Sequence, residues 1–110
     1  MLENTYTLEN GIKIPKLGLG TWFIDDSKVA EAVREAVKIG YRMMDTAQAY
    51  GNERGVGEGV RTCGIPREDL FVVSKVAAEH KTYEQAMAGM DETLKKMELY
   101  YQDFSRVFAF

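Results

Sequence analysis

The chain has 110 residues, with 14 Lys and Arg against 17 Asp and Glu and a formal net charge of -3. That length suits one domain, residues 1–110, and a 45% hydrophobic content supplies a core. No basic excess or charge run points to nucleic acid, and no apolar stretch is long enough to span a membrane. The opening Met1-Leu2-Glu3-Asn4 is polar, unlike a secretory signal, and the lone Cys63 cannot form an internal disulfide. Both features fit a reducing, cytoplasmic setting. Neither His, Lys nor a second Cys lies close in sequence to activate Cys63, so it reads as structurally inert.

In chain order, Thr5–Leu8 and Ile12–Ile14 are short β-prone runs around Asn10-Gly11, the strongest short hairpin signal. Lys16-Leu17-Gly18-Leu19-Gly20 reads as a short strand closed by glycine. Ser27 to Ile39 is helical, with Val29, Ala32, Val33, Ala36 and Val37 on one face and Gly40 as the stop. Tyr41–Asp45 reads as a strand. Asn52–Cys63 is a weaker helix, diluted by Gly55, Gly57 and Gly59, and Gly64-Ile65-Pro66 is a turn. Leu70–Lys75 is an apolar run of the kind buried on both faces of a parallel sheet. Thr82-Tyr83-Glu84-Gln85 is a capping box, and Tyr83, Ala86, Met87, Met90, Leu94 and Met97 form a helical stripe expected to pack in the core. Tyr100–Phe110 is aromatic and β-prone.

A hairpin followed by alternating strands and helices predicts an α/β fold with parallel strands and right-handed crossovers. Periodicity alone leaves a doubly wound sheet and a piece of a (β/α) barrel equally open. In both, functional groups gather at the C-terminal strand ends. Asp45 and Lys75 stand at two such ends, and Tyr50 follows Asp45 in the next loop. A phenol is normally too weak an acid for proton transfer at neutral pH, and a neighbouring ammonium favours its ionised form. An Asp beside that Lys would hold the ammonium in place. A tyrosine so tuned can protonate a carbonyl oxygen as a hydride reaches the carbon.

Each residue taken singly also has a bland reading: Asp45 as a turn cap, Tyr50 as packing, Lys75 as a snorkelling side chain. The stretches Leu17-Gly18-Leu19-Gly20-Thr21-Trp22 and Gly55-Val56-Gly57-Glu58-Gly59 lack the spacing of a dinucleotide fingerprint or a Walker loop. His80 is the only histidine and makes a poor metal site, so no metal is expected.

The joint pattern is more specific than its parts. The run Gly11-Ile12-Lys13-Ile14-Pro15-Lys16-Leu17-Gly18-Leu19-Gly20-Thr21-Trp22 resembles the opening of aldo-keto reductases. So do Gly40-Tyr41-Arg42-Met43-Met44-Asp45-Thr46-Ala47-Gln48-Ala49-Tyr50-Gly51-Asn52-Glu53 and Leu70-Phe71-Val72-Val73-Ser74-Lys75-Val76. The likeness runs from about Thr5 to Asp103. It implies the N-terminal half of a (β/α)8 barrel: a hairpin, about four parallel strands and three helices. It also implies NADPH- or NADH-dependent reduction of aldehydes and ketones. Of the family's Asp, Tyr, Lys and His, the first three match Asp45, Tyr50 and Lys75. Tyr50 would be the general acid. Gly20, Thr21 and Trp22 match the loop that lies against cofactor and substrate, and Asp45 borders the nicotinamide ribose.

Departures from the pattern temper those implications. The family's fourth strand leads into His, whereas here that position aligns with Phe108. Arg106 falls two residues earlier, on the face expected to be the barrel interior. Ala77 stands where many members place a substrate-contacting Trp. A full barrel needs roughly 250 residues, and the family's main grip on the adenosine phosphates lies beyond the matched part. The expectations are therefore a truncated half-barrel and a reductase remnant with activity lost or residual. The alternative is a non-catalytic half-barrel that assembles with itself, as a homodimer, or with a partner.

Overall fold

The computed structural model describes residues 5–76 and 82–99 and the backbone of 104–107. Strands β1 (Thr5–Thr7) and β2 (Lys13–Pro15) form the expected antiparallel hairpin, with Tyr6 opposite Ile14. Its turn closes through Leu8 N–H to the Ile12 carbonyl at 2.8 Å, and the Asn10 side chain accepts from Ile12 N–H at 3.1 Å. Gly11 stands at φ +84°, which glycine adopts without steric cost.

The main sheet is parallel, in the order β3 (Leu19–Gly20), β4 (Met43–Asp45), β5 (Phe71–Val76), β6 (Phe104–Val107). β3 is shorter than the expected Lys16–Gly20, because only Leu19 and Gly20 pair, with Met44 and Asp45. Among the described residues, three helices make the crossovers and connections: α1 (Asp26–Ile39), α2 (Glu53–Thr62) and α3 (Tyr83–Met97). Gly40 ends α1 at φ 118°, its N–H reaching the Ala36 and Val37 carbonyls. α3 starts on the predicted capping box, with Thr82 Oγ1 accepting from Gln85 N–H at 3.1 Å.

The core lies between the sheet and the helices. Val29, Val33 and Val37 of α1 and Val56 and Val60 of α2 pack against Met44, Leu70, Val72 and Met97. Each buried Val is worth roughly 1.5–3 kcal/mol relative to exposure. The glycines of α2 explain how a weak helix former serves here. A Cβ on Gly55 would stand 2.4 Å from Val29 Cγ1, and one on Gly59 would stand 2.6 Å from Val33 Cβ. The glycines let α2 lie against α1. Outside that contact, Arg54 Nε meets Asp26 Oδ2 at 2.6 Å, and the bond and charge of Asp26 hold the guanidinium above its ordinary pKa.

The expected stripe on α3 holds at Met97, which is fully buried, and fails at its start. Tyr83 is 76% exposed and Met87 41%, while the buried positions are Gly89, Thr93 and Met97. The reason is a contact between segments distant along the chain. Gln48 Nε2 donates to the Gly89 carbonyl at 2.7 Å and to Thr93 Oγ1 at 3.2 Å, which turns the small-residue face inward. Ala86, Met90 and Leu94 are half-buried beside it.

Candidate functional site

The C-terminal ends of β3, β4 and β5 lie side by side, so the loops after them meet on one rim. Along β5, Val72 faces the helix core, so alternation sends Ser74 the same way and Lys75 to the opposite face. Asp45 likewise opposes the buried Met44 on β4. The two functional groups therefore share the face away from the helices. Lys75 Nζ donates to Asp45 Oδ1 at 2.5 Å and to the Thr46 carbonyl at 3.1 Å. The lysine side chain is 10% exposed and the aspartate 37%, so the pair opens to solvent on the carboxylate side.

Tyr50 ends a short 3-10 turn, Gln48–Tyr50, between β4 and α2. Its ring lies over the ammonium, with Lys75 Nζ 5.3 Å from the ring centroid, a cation–π distance. The three residues picked out from the sequence thus converge. Thr21 is fully buried, and its hydroxyl and amide both donate to the Asp45 carbonyl, at 2.9 and 3.1 Å. Its side chain is spent on Asp45. Gly20, the register partner of Asp45, has open space where a Cβ would stand. Trp22 is 65% exposed and stacks on Phe23 at 4.3 Å, with Phe23 86% exposed and at φ 67°. A non-glycine residue in that left-handed region carries backbone strain. Trp22, Phe23, Ile24, Tyr50 and Gly51 line one shallow hollow on the rim.

Behind the rim lies a polar layer that sequence reasoning did not single out. Thr46 Oγ1 donates to Asn52 Oδ1 at 2.7 Å, and Asn52 Nδ2 donates to the carbonyls of Thr21 and Ile24 at 2.8 and 3.0 Å. Ser74 Oγ donates to Glu53 Oε2 at 2.7 Å. The one available signal was a serine inside an otherwise apolar strand. On β6, Arg106 is the register partner of Lys75. His80, Ala77 and Phe108 lie outside the described residues, and so does the segment around Tyr100. Among the described residues no cluster of three His, Cys, Asp or Glu could hold a metal, and no helix is long and apolar enough to cross a membrane. Cys63 is half-buried against the core, its thiol on the Val60 carbonyl at 3.4 Å.

Residues 16–106 match the profile of the aldo/keto reductase family. The chain is 44% identical over 101 residues to the 9,11-endoperoxide prostaglandin H2 reductase of Trypanosoma cruzi, covering 91% of this chain and 36% of that protein. It is 42% identical over 103 residues to the glyoxal reductase of Bacillus subtilis, covering 93% and 37% respectively. The crystal structure of an aldo/keto reductase from Brucella melitensis superposes with a TM-score of 0.91 at 40% identity, covering 94% of this chain and 40% of that one. The chain spans little more than a third of the length of these curated relatives, and its architecture is that of a partial barrel. With residues 16–106 inside the matched region and a TM-score of 0.91 to a solved member, the chain belongs to the aldo/keto reductase family.

Proposed function

We propose that this chain carries the acid–base half of an NAD(P)H-dependent carbonyl reductase centre, and that by itself it turns over at or near background. What carries the reading is the single ammonium of Lys75, bonded to Asp45 at 2.5 Å and lying 5.3 Å from the centroid of the Tyr50 ring. In this reading Tyr50 is the general acid and gives its hydroxyl proton to the carbonyl oxygen. The Lys75 ammonium stabilises the phenolate left behind, and Asp45 fixes the ammonium. The phenolate regains its proton from water. Bound NAD(P)H would supply the hydride that the carbonyl carbon accepts, giving the alcohol.

The residues fit only one end of such a cofactor. Gly20 offers close approach, Trp22 an exposed ring and Asp45 a carboxylate edge beside it. Thr21 holds Asp45 from below. Phe108, at the position of the family's His, has no donor for a carbonyl oxygen. The test is NADPH oxidation with glyoxal or another small aldehyde, alongside quenching of Trp22, the only tryptophan. Background turnover and quenching only at high NADPH are expected. Turnover at ordinary enzyme rates would overturn the claim of lost activity. Turnover indifferent to Tyr50→Phe would overturn the acid–base assignment.

A second reading, a non-catalytic half-barrel that pairs with another copy of itself, draws on a separate observation. Among the described strands β3 is an edge, paired only with β4, and Trp22 and Phe23 stand exposed just beyond it. Unpaired edges are templates for further strands.

A further inference from the structure

Glu53 and Ser74 form a buried pair that stability alone does not account for. Glu53 is 3% exposed and Ser74 1%. Ser74 Oγ donates to Glu53 Oε2 at 2.7 Å, while Glu53 Oε1 has no hydrogen-bond partner among the described residues. Taking a carboxylate out of water is expensive, and one hydroxyl donor compensates little of that cost. An apolar side chain of similar volume would fill the same space between α2 and β5 more favourably. The best-attested use of such a buried polar group is to fix a register.

What the pair joins gives it that use. Glu53 is the first residue of α2, just after the turn that carries Tyr50, and Ser74 immediately precedes Lys75. Side chains alternate along β5, whose own register is held by the ladders to β4 and β6, so Ser74 facing α2 leaves Lys75 on the opposite face, and the Glu53–Ser74 bond fixes how near the Tyr50 turn stands to that strand. Two further side-chain tethers of the Tyr50 segment reach other elements. Gln48 reaches α3, and Asn52 reaches the loop after β3. The Glu53–Ser74 bond ties the start of α2 to β5.

We propose that Glu53 is a positioning residue that pins β5 to the start of α2 through Ser74 and so sets the Lys75 ammonium under the Tyr50 ring. The proposal rests on reading Tyr50 and Lys75 as a working pair, but its test needs no turnover, so a chain without reductase activity is judged by the same spectra. In proton NMR of the full chain, the Lys75 ε-methylene signals, identified by their loss in Lys75→Met, should be displaced upfield by the Tyr50 ring current. Glu53→Gln keeps an acceptor for Ser74 and should keep the displacement. Glu53→Leu should lose it while melting at or above the wild-type temperature, a dissociation that a merely structural role would not produce. Ser74→Ala removes only the donor, should also lose the displacement, and decides the matter if Glu53→Leu does not fold. Undiminished displacement in folded Glu53→Leu or Ser74→Ala would overturn the proposal. So would a wild-type spectrum without any displacement.

Discussion

Gly57 of α2 lies against the backbone of Met97 at the end of α3, so close that a Cβ there would stand 2.2 Å from the Met97 carbonyl oxygen. The neighbour is backbone, which cannot swing aside as a side chain can. Arg61 Nε also donates to the same carbonyl at 3.1 Å, so pushing α3 away breaks a second contact. Gly57→Ala is therefore expected to destabilise the chain by about 1–3 kcal/mol, despite alanine's better helix propensity. Thermal or urea denaturation monitored by circular dichroism measures it, and an unchanged or raised midpoint would contradict the packing argument.

Asp45 and Lys75 should respond unequally to substitution. Asp45→Ala leaves the ammonium, whose side chain is 10% exposed, without its carboxylate. A loss on the order of 2 kcal/mol is expected, less than for a fully buried pair because the aspartate is 37% exposed. Lys75→Met removes the buried charge and keeps the volume, so its effect should lie within about 1 kcal/mol of wild type. Equal destabilisation by both in urea titrations would show that the lysine's desolvation is not the dominant cost.

Thr82 caps α3 through both arms of the capping box, its hydroxyl accepting from Gln85 N–H and its own N–H donating to Gln85 Oε1. Thr82→Ala should cost about 1 kcal/mol. Thr82→Ser keeps the oxygen and should cost less. Equal midpoints for the two variants would place the cap's value in the threonine methyl instead.

The assembly reading predicts a homodimer. Sedimentation of the purified chain at tens of micromolar should give twice the chain mass, because a cyclic pair covers the β3 edge of each copy. Charged residues on the edge weaken such pairing, so Leu19→Lys should shift the mass toward the monomer. A well-folded wild-type monomer under the same conditions would refute this reading and leave the reductase reading untouched.

Much of the fold was legible from local chemistry. Asn10-Gly11 specifies a turn because glycine takes φ +84° there, and Gly40 ends α1 for a similar reason at φ 118°. Thr82 and Gln85 cap α3 by bonds that span only one helical turn. The valines of α1 fall on the buried face that their spacing predicts. Asp45 and Lys75 were legible as neighbours because parallel strands bring their C-terminal ends to one rim, whichever parallel architecture is chosen.

Other features depend on what an element packs against, which no local pattern carries. Of the stripe Tyr83, Ala86, Met87, Met90, Leu94 and Met97 that looked inward-facing by spacing, Met97 is buried, yet Tyr83 and Met87 are exposed and Gly89 and Thr93 are buried, where Gln48 supplies a close partner. The glycines of α2 weaken a helix in isolation, and only contact with Val29, Val33 and Met97 gives their absent side chains a purpose. Thr21 could be placed near the site, but its hydroxyl was committed to the Asp45 carbonyl by the pairing of β3 with β4. Glu53 and Ser74 stand 21 positions apart, and their bond exists because α2 folds back onto β5. Sequence alone thus determined the elements, their order and the residue types at the strand ends, since turns, caps and periodicity act over a few residues. Tertiary structure decided which face α3 buries and which polar groups share a bond, since those depend on close approach between segments distant along the chain.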